Sequence, residues 1–199
     1  MQPHQERSLV LLKTDAVQRS LIGEIIKRFE QTGLKIAAMK MLWATEDQLL
    51  RHYNKDDDWY LEKGERVVKD LQAQGKEVEK EAIEYGKDII KTIVKYMQVS
   101  PIVALVLQGN QAVSVVTKIV GSTEPSTSDV GTIRGDYTLD SYSHATYENR
   151  AVRNLVHQSE SPSEAEREIK IWFHDNEIMD YVTAQERIMY DVNLDGMKE

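Results

Sequence analysis

The run Pro101-Ile-Val-Ala-Leu-Val-Leu107 constrains the fold more than any other stretch, because none of its residues carries a polar side chain. A run this short that ends at Gly109-Asn110 reads as a β-strand. An alternating strand would have one wet face, whereas a strand apolar at every position is covered on both.

The rest of the chain supplies further strands and the helices to cover them. Ser8-Leu-Val-Leu-Leu-Lys13 is a second short apolar run, a buried strand ending in a lysine. Thr14 to Arg19 reads as a turn into a helix over 22–31, with Ile22, Ile25, Ile26 and Phe29 on one face and Gly33 closing it. Residues 34–43 are strand-like, although their alanines and methionines leave a helix open on propensity. Thr45-Glu-Asp-Gln48 is a capping box that opens a helix through Leu49, Leu50, His52 and Tyr53. A charged segment follows at 62–88. Val67, Val68 and Leu71, then Val78, Ala82 and Ile83, have helical spacing broken at Gly75, which predicts an inserted pair of short helices. A surface hairpin with no chemical role accounts for that segment equally well. Residues 111–120 form a helix ended by Gly121. A shorter insertion occupies 139–150, and a tail with a few apolar residues runs over 177–199. One domain over 1–199 is the expectation for this length.

Composition narrows the function. A net charge of −8 argues against broad nucleic-acid binding, so any phosphate site must be a local cationic pocket in an acidic molecule. No window approaches the ~20 apolar residues of a membrane helix, and Met1 to Arg7 lacks the basic-then-apolar pattern of a secretory signal. The absence of cysteine excludes thiolate chemistry and fits a reducing compartment, so the cytoplasm is the expected location.

The segment with most chemistry lies late in the chain. The apolar run 152–156 stops at His157, and a helix signal follows: Ser161 as N-cap, Pro162 at the first helical position, Glu164 where a capping box wants it. Ala165, Ile169, Trp172 and Phe173 make its buried stripe, and Glu168 borders that stripe. An inward carboxylate needs a partner. An imidazole at a strand end, the Ser159 hydroxyl two residues on and Glu168 from the next helix would make an oriented nucleophile. Gly121-Ser-Thr123 and Gly131-Thr-Ile-Arg134-Gly-Asp136 enclose a loop rich in glycine and hydroxyls, suited to phosphate, with an arginine fork beside it.

The wording of these segments resembles one family. Asn154-Leu-Val-His157-Gln-Ser159 followed by Glu164-Ala-Glu-Arg-Glu168-Ile-Lys-Ile-Trp172-Phe173, Leu12-Lys13-Thr-Asp-Ala-Val-Gln-Arg19 and Gly131-Thr-Ile-Arg134-Gly-Asp136 are similar to the signatures of nucleoside diphosphate kinases. Four positions depart: Thr14 replaces a proline, Gln158 replaces the glycine after the histidine, Glu160 replaces the aspartate after the serine, and Thr117 stands where the family has a phosphate-binding arginine. Lys118 is the nearest cation to compensate.

The resemblance implies an α/β (α+β) fold, a ferredoxin-like βαββαβ sandwich with an antiparallel sheet and extra inserted helices. It implies ping-pong transfer of the γ-phosphate of ATP or another nucleoside triphosphate to a nucleoside diphosphate through phosphohistidine at His157. Glu168 and Ser159 would hold the ring, and Lys13 would reach the transferred phosphate. Thr123 and Arg134 would contact the nucleotide phosphates, and Asn154 and Tyr53 would complete the nucleotide site, although Tyr53 also reads as a half-buried core aromatic. Trp59 and Tyr60 are candidates to stack on the base. Mg²⁺ would arrive on the nucleotide phosphates, with no metal held by the protein. A homo-oligomer, a tetramer or hexamer built from dimers, is the implied assembly, with no nucleic-acid or membrane partner. Thr117 and Gln158 motivate one rival reading, a nucleotide-binding relative with weak turnover that acts as scaffold or regulator.

Overall fold

The computed structural model describes residues 5–190. Residues 1–4, part of the segment read as lacking a secretory signal, and 191–199, the end of the expected tail, lie outside the described residues.

Four antiparallel strands form one sheet: β1 (Glu6–Leu12), β2 (Lys35–Leu42), β3 (Ile102–Gly109) and β4 (Val156–Gln158), in the order β2-β3-β1-β4. This is the expected α+β sandwich, with the apolar strand β3 in the interior of the sheet. The pleat of β1 shows how two covered faces arise. Leu9 and Leu11 pack into one apolar cluster with Ala104, Val106 and Trp172, while Val10 and Leu12 pack into a second with Val103, Leu105 and Phe29.

Helices α1 (Thr14–Gln18) and α2 (Ile22–Glu30) follow β1, and α3 (Glu46–His52) follows β2. Thr14 to Gln18 is thus a helix rather than the expected turn. Its first-turn Asp15 accepts from the Ala16 and Leu155 amides, a long-range anchor that local sequence does not display. The capping box on α3 is present as read, with Thr45 and Gln48 bonded reciprocally. Residues 34–43 resolve to a strand, with a bulge between Ile36 and Ala38.

The insertion departs from its predicted bounds. Instead of two short helices from residue 62, helix α4 (Asp57–Ala73) begins five residues earlier, where the Asp56 carboxylate accepts from the Trp59 amide. After the break at Gly75, helix α5 (Ala82–Met97) runs unbroken past residue 88, the expected end of the inserted segment. Val78 lies in the exposed connection between them. The two helices meet backbone to backbone: a Cβ on Gly64 would lie 1.6 Å from the Ala82 carbonyl oxygen, and one on Gly86 1.9 Å from that of Tyr60. Only glycine permits this approach.

Helix α6 (Ala112–Val120) ends at Gly121, whose φ of +87° suits glycine. Helix α7 (Ile133–Tyr137) carries Arg134, and the second insertion folds as α8 (Tyr142–Tyr147). Strand β4 starts only at Val156, so His157 lies within the strand rather than beyond its end; Leu155 before it adopts φ +63°, off the strand conformation. Helix α9 (Pro162–Trp172) has its Ser161 hydroxyl accepting from the Glu164 amide at 3.2 Å, while the Glu164 carboxylate turns 3.8 Å from Lys55. The tail crosses the edge of β2, where the Met179 amide donates to the Ala37 carbonyl, and continues into α10 (Ala184–Tyr190). Among the described residues no helix is long and apolar enough to cross a membrane.

Candidate active site

β1 and β4 pair with Leu11 opposite His157, so the imidazole leaves the sheet on the face of Leu9 and Leu11, toward α3 and α9. Strand alternation sends Val156 to the other side. Glu168, two turns into α9, is 3% exposed and reaches back to the strand. Its carboxylate oxygens lie 3.2 and 3.3 Å from His157 Nε2, and one of them accepts from the Ser159 hydroxyl at 2.6 Å. Ser159 Oγ in turn accepts from the Leu9 amide at 3.2 Å. The buried acid therefore has the partners its sequence position called for. With Nε2–H donated to Glu168, the imidazole keeps its lone pair on Nδ1.

Burial holds the His157 pKa well below its usual value, and the Lys13 and Arg134 charges push it the same way. The ring is neutral at neutral pH. Lys13 follows directly on β1 and is nearly buried, donating to Asn154 Oδ1 at 2.8 Å. Burial first, then the Arg134 charge, lowers its pKa to about 8. Asn154 is fixed from its other end by donating to the Thr123 carbonyl at 2.8 Å.

Arg134 is more deeply engaged than a free phosphate fork. It is 2% exposed; Nε donates to the Asn154 carbonyl, Nη1 to that of Gly121, and Nη2 to the Val156 carbonyl and to Gln158 Oε1. One N–H of the five remains uncommitted. Burial lowers its pKa to about 10, so it stays charged. Gln158, in the place of the family's glycine, is thus a ligand of Arg134.

These residues line a cleft of about 640 Å³. Lys13, Tyr53, Thr123, Arg134, Asn154 and His157 open onto it, and Glu168 reaches it from behind the ring. Ser159 is fully buried and acts only on Glu168 and Leu9. Tyr53 is in the apolar core and also lines the cleft, with its hydroxyl buried and unpartnered. Tyr60 does not line the cleft. Neighbours on a helix point about 100° apart; both rings pack against the core, but only Trp59 also faces the opening, while Tyr60 lies beside α5. Thr117 and Lys118 are exposed on α6 and do not line the cleft.

One residue at the centre was not among the candidates. His52 is 1% exposed, its ring edge-on to His157 at 4.2 Å between centroids, and its Nδ1 accepts from Trp172 Nε1 at 3.3 Å. Its signal was its place three residues after Leu49 on the buried face of α3. Burial, then His157, holds its pKa well below the usual histidine range, so it too is neutral. His52, His157 and Glu168 are close enough to suggest a metal site. The chemistry does not fit magnesium, which takes oxygen ligands: the set offers two imidazoles and one carboxylate already engaged by His157 and Ser159.

The profile of the Nucleoside diphosphate kinase family matches residues 6–63 and 66–178. A nucleoside diphosphate kinase of Pyrobaculum aerophilum is 47% identical over 180 residues, 88% of this chain and 98% of that protein. One of Pyrococcus abyssi is 39% identical over 92% of each chain. Among solved structures, an NDP kinase from Pyrobaculum aerophilum superposes with a TM-score of 0.84 at 44% identity, covering 88% of this chain and all of that one. The nucleoside-diphosphate kinase of Borrelia burgdorferi, solved as a transition-state mimic with vanadate and ADP, gives 0.73 at 32% identity, covering 90% and 94%.

Proposed function

We propose that this chain, which belongs to the nucleoside diphosphate kinase family, carries the γ-phosphate of a nucleoside triphosphate to a nucleoside diphosphate on His157. Nδ1 attacks the γ-phosphorus; the N–P bond forms as the bond to the bridging oxygen breaks, and the nucleoside diphosphate leaves with that electron pair. A terminal oxygen of the second nucleoside diphosphate then attacks the same phosphorus, and the electron pair of the N–P bond returns to Nδ1. The covalent relay lets one cleft serve both nucleotides in turn.

The observation that carries this reading is the chain Ser159–Glu168–His157, in which a buried acid fixes the ring through Nε2. The same carboxylate stabilises the positive charge that the ring gains on phosphorylation. Lys13 offers two N–H donors beyond its bond to Asn154, and Arg134 adds fixed positive charge, so both favour the charge of the transferring group. Mg²⁺ is read as part of the substrate, carried on the nucleotide phosphates and reducing their charge.

Trp59 is the better placed of the two aromatics for stacking on a base, with Lys63 near its ring. A homo-oligomer is supported by the edge strand β2, where Met39 and Met41, with Trp43 just beyond, expose apolar side chains at alternate positions. We place the protein in the cytoplasm on the grounds of its cysteine-free composition.

Incubation with γ-labelled ATP and Mg²⁺ will give an acid-labile, alkali-stable phosphoprotein, and GDP will discharge the label as GTP. His157→Ala will abolish both steps. Label that persists despite excess GDP would favour the scaffold or regulator instead.

A further inference from the structure

Phosphate is best gripped by a guanidinium fork with N–H groups to spare. Three arginines line the cleft: Arg66, Arg134 and Arg150. Arg134 spends four of its five donors on Asn154, Gly121, Val156 and Gln158. Arg150 is clamped bidentately on Asp140 at 2.6 and 2.9 Å and also donates to the Ala151 carbonyl. Arg66, on the inserted helix α4, differs from both. Its polar contact is a long one, 3.4 Å from Nη2 to Glu124 Oε2, and its guanidinium lies 3.9 Å over the ring of Tyr142.

That stacking sets the fork in a defined place. Tyr142 begins α8, and its amide donates to Glu124 Oε1 at 2.7 Å. The two insertions therefore meet over the Thr123–Glu124 loop, with Arg66 presented to the cleft there. Glu124 is partly spent on the start of α8, so the carboxylate nearest to Arg66 does not saturate it. Lys13 and Asn154 occupy the His157 end, where the Lys13 charge acts directly on the imidazole.

We infer that Arg66 binds a phosphate of the nucleotide other than the one transferred, an inference that rests on the nucleotide reading above. The cation that Thr117 does not supply then comes from the insertion, and the inserted helix has a chemical role.

Binding of ADP and of adenosine to the wild type, Arg66→Ala and Arg66→Lys tests this, alongside labelling with ATP at saturation. Arg66→Ala will weaken ADP roughly ten- to hundredfold, the worth of a charge-assisted bond, and leave adenosine unchanged; Arg66→Lys will fall between. The variant will still take label on His157. Unchanged ADP affinity would overturn the inference. So would equal weakening of ADP and adenosine, which would mean that Arg66 only latches α4 to α8. A wild type that takes no label would count against the kinase chemistry, and the ADP-to-adenosine ratio would still judge Arg66 by itself.

Discussion

On the sheet side of the cleft Glu168, Ser159 and Asn154 are buried, and they are bonded to partners 141 or 150 residues away or to each other between β4 and the next helix. On the inserted side the ion pairs Lys80–Asp88 and Lys87–Glu84 stand at the surface, and the helices are held by the contact of Gly64 and Gly86 with facing backbone. The sheet side fixes an imidazole to a single orientation and tautomer. The inserted side borders the cleft and presents aromatic rings and cations to it. On the reading proposed above, the sheet side orients the reacting group and holds phosphate through Lys13 and Arg134, and the inserted side adds contacts to the rest of the nucleotide.

The largest effect belongs to the sheet side. Glu168→Gln, which keeps the shape and removes the charge, will lower kcat by up to about 10⁴, as loss of the acid that orients a catalytic imidazole does, and change nucleotide KM far less. A comparable rise in KM would show that the acid serves binding as well, and the division between the two sides would fail.

Next comes pH, acting through Lys13. Its folded pKa of about 8 lies below the ordinary 10.5, so between these values the unfolded chain holds a proton that the folded chain has lost. Stability then rises with pH through that window, by an amount on the order of 3 kcal/mol. The penalty of burying the charge is fully present below pH 8. Nucleotide affinity moves the other way, weakening above pH 8 as the ammonium is lost. Denaturant melts and ADP titrations at pH 7 and pH 10 will therefore diverge in sign. Parallel changes would mean that Lys13 does not face the phosphate.

The smallest effect should come from the inserted helices. Gly86→Val forces α4 from α5 and will cost roughly 1–3 kcal/mol of stability, read as a lower melting temperature. His157 will still take label at saturating ATP, because β1, β4 and α9 are untouched. Loss of labelling in a folded variant would join the two sides into one unit.

The two regions also differed in how far sequence revealed them. The strands, the Ser161 cap and the α9 stripe are local signals, and Glu168 could be read as inward-facing from its place beside Ala165 and Trp172. The family wording added Lys13, Thr123, Arg134 and Asn154. The short α1 was hidden because Asp15 is anchored by Leu155, far along the chain. Arg134's engagement was equally hidden, since three of its acceptors are backbone carbonyls that only tertiary folding brings together. In the insertion, the charged surface of α4 obscured its start at Asp57, and choosing Trp59 over Tyr60 needed the helix phase that the start defines.

The pairing of β1 with β4 has a further consequence. Ser159 meets Leu9 and Lys13 meets Asn154 across separations of 150 and 141 residues, among the most distant contacts this chain can make. During synthesis Lys13 leaves the ribosome long before His157 exists, whereas the hydrogen bonds of a helix such as α2 join residues made one after another. The catalytic centre therefore closes only when the two ends of the fold join, a late and slow event for so non-local a contact. Until residues 154–168 are made and β4 pairs with β1, the imidazole, its acid and Lys13 cannot meet.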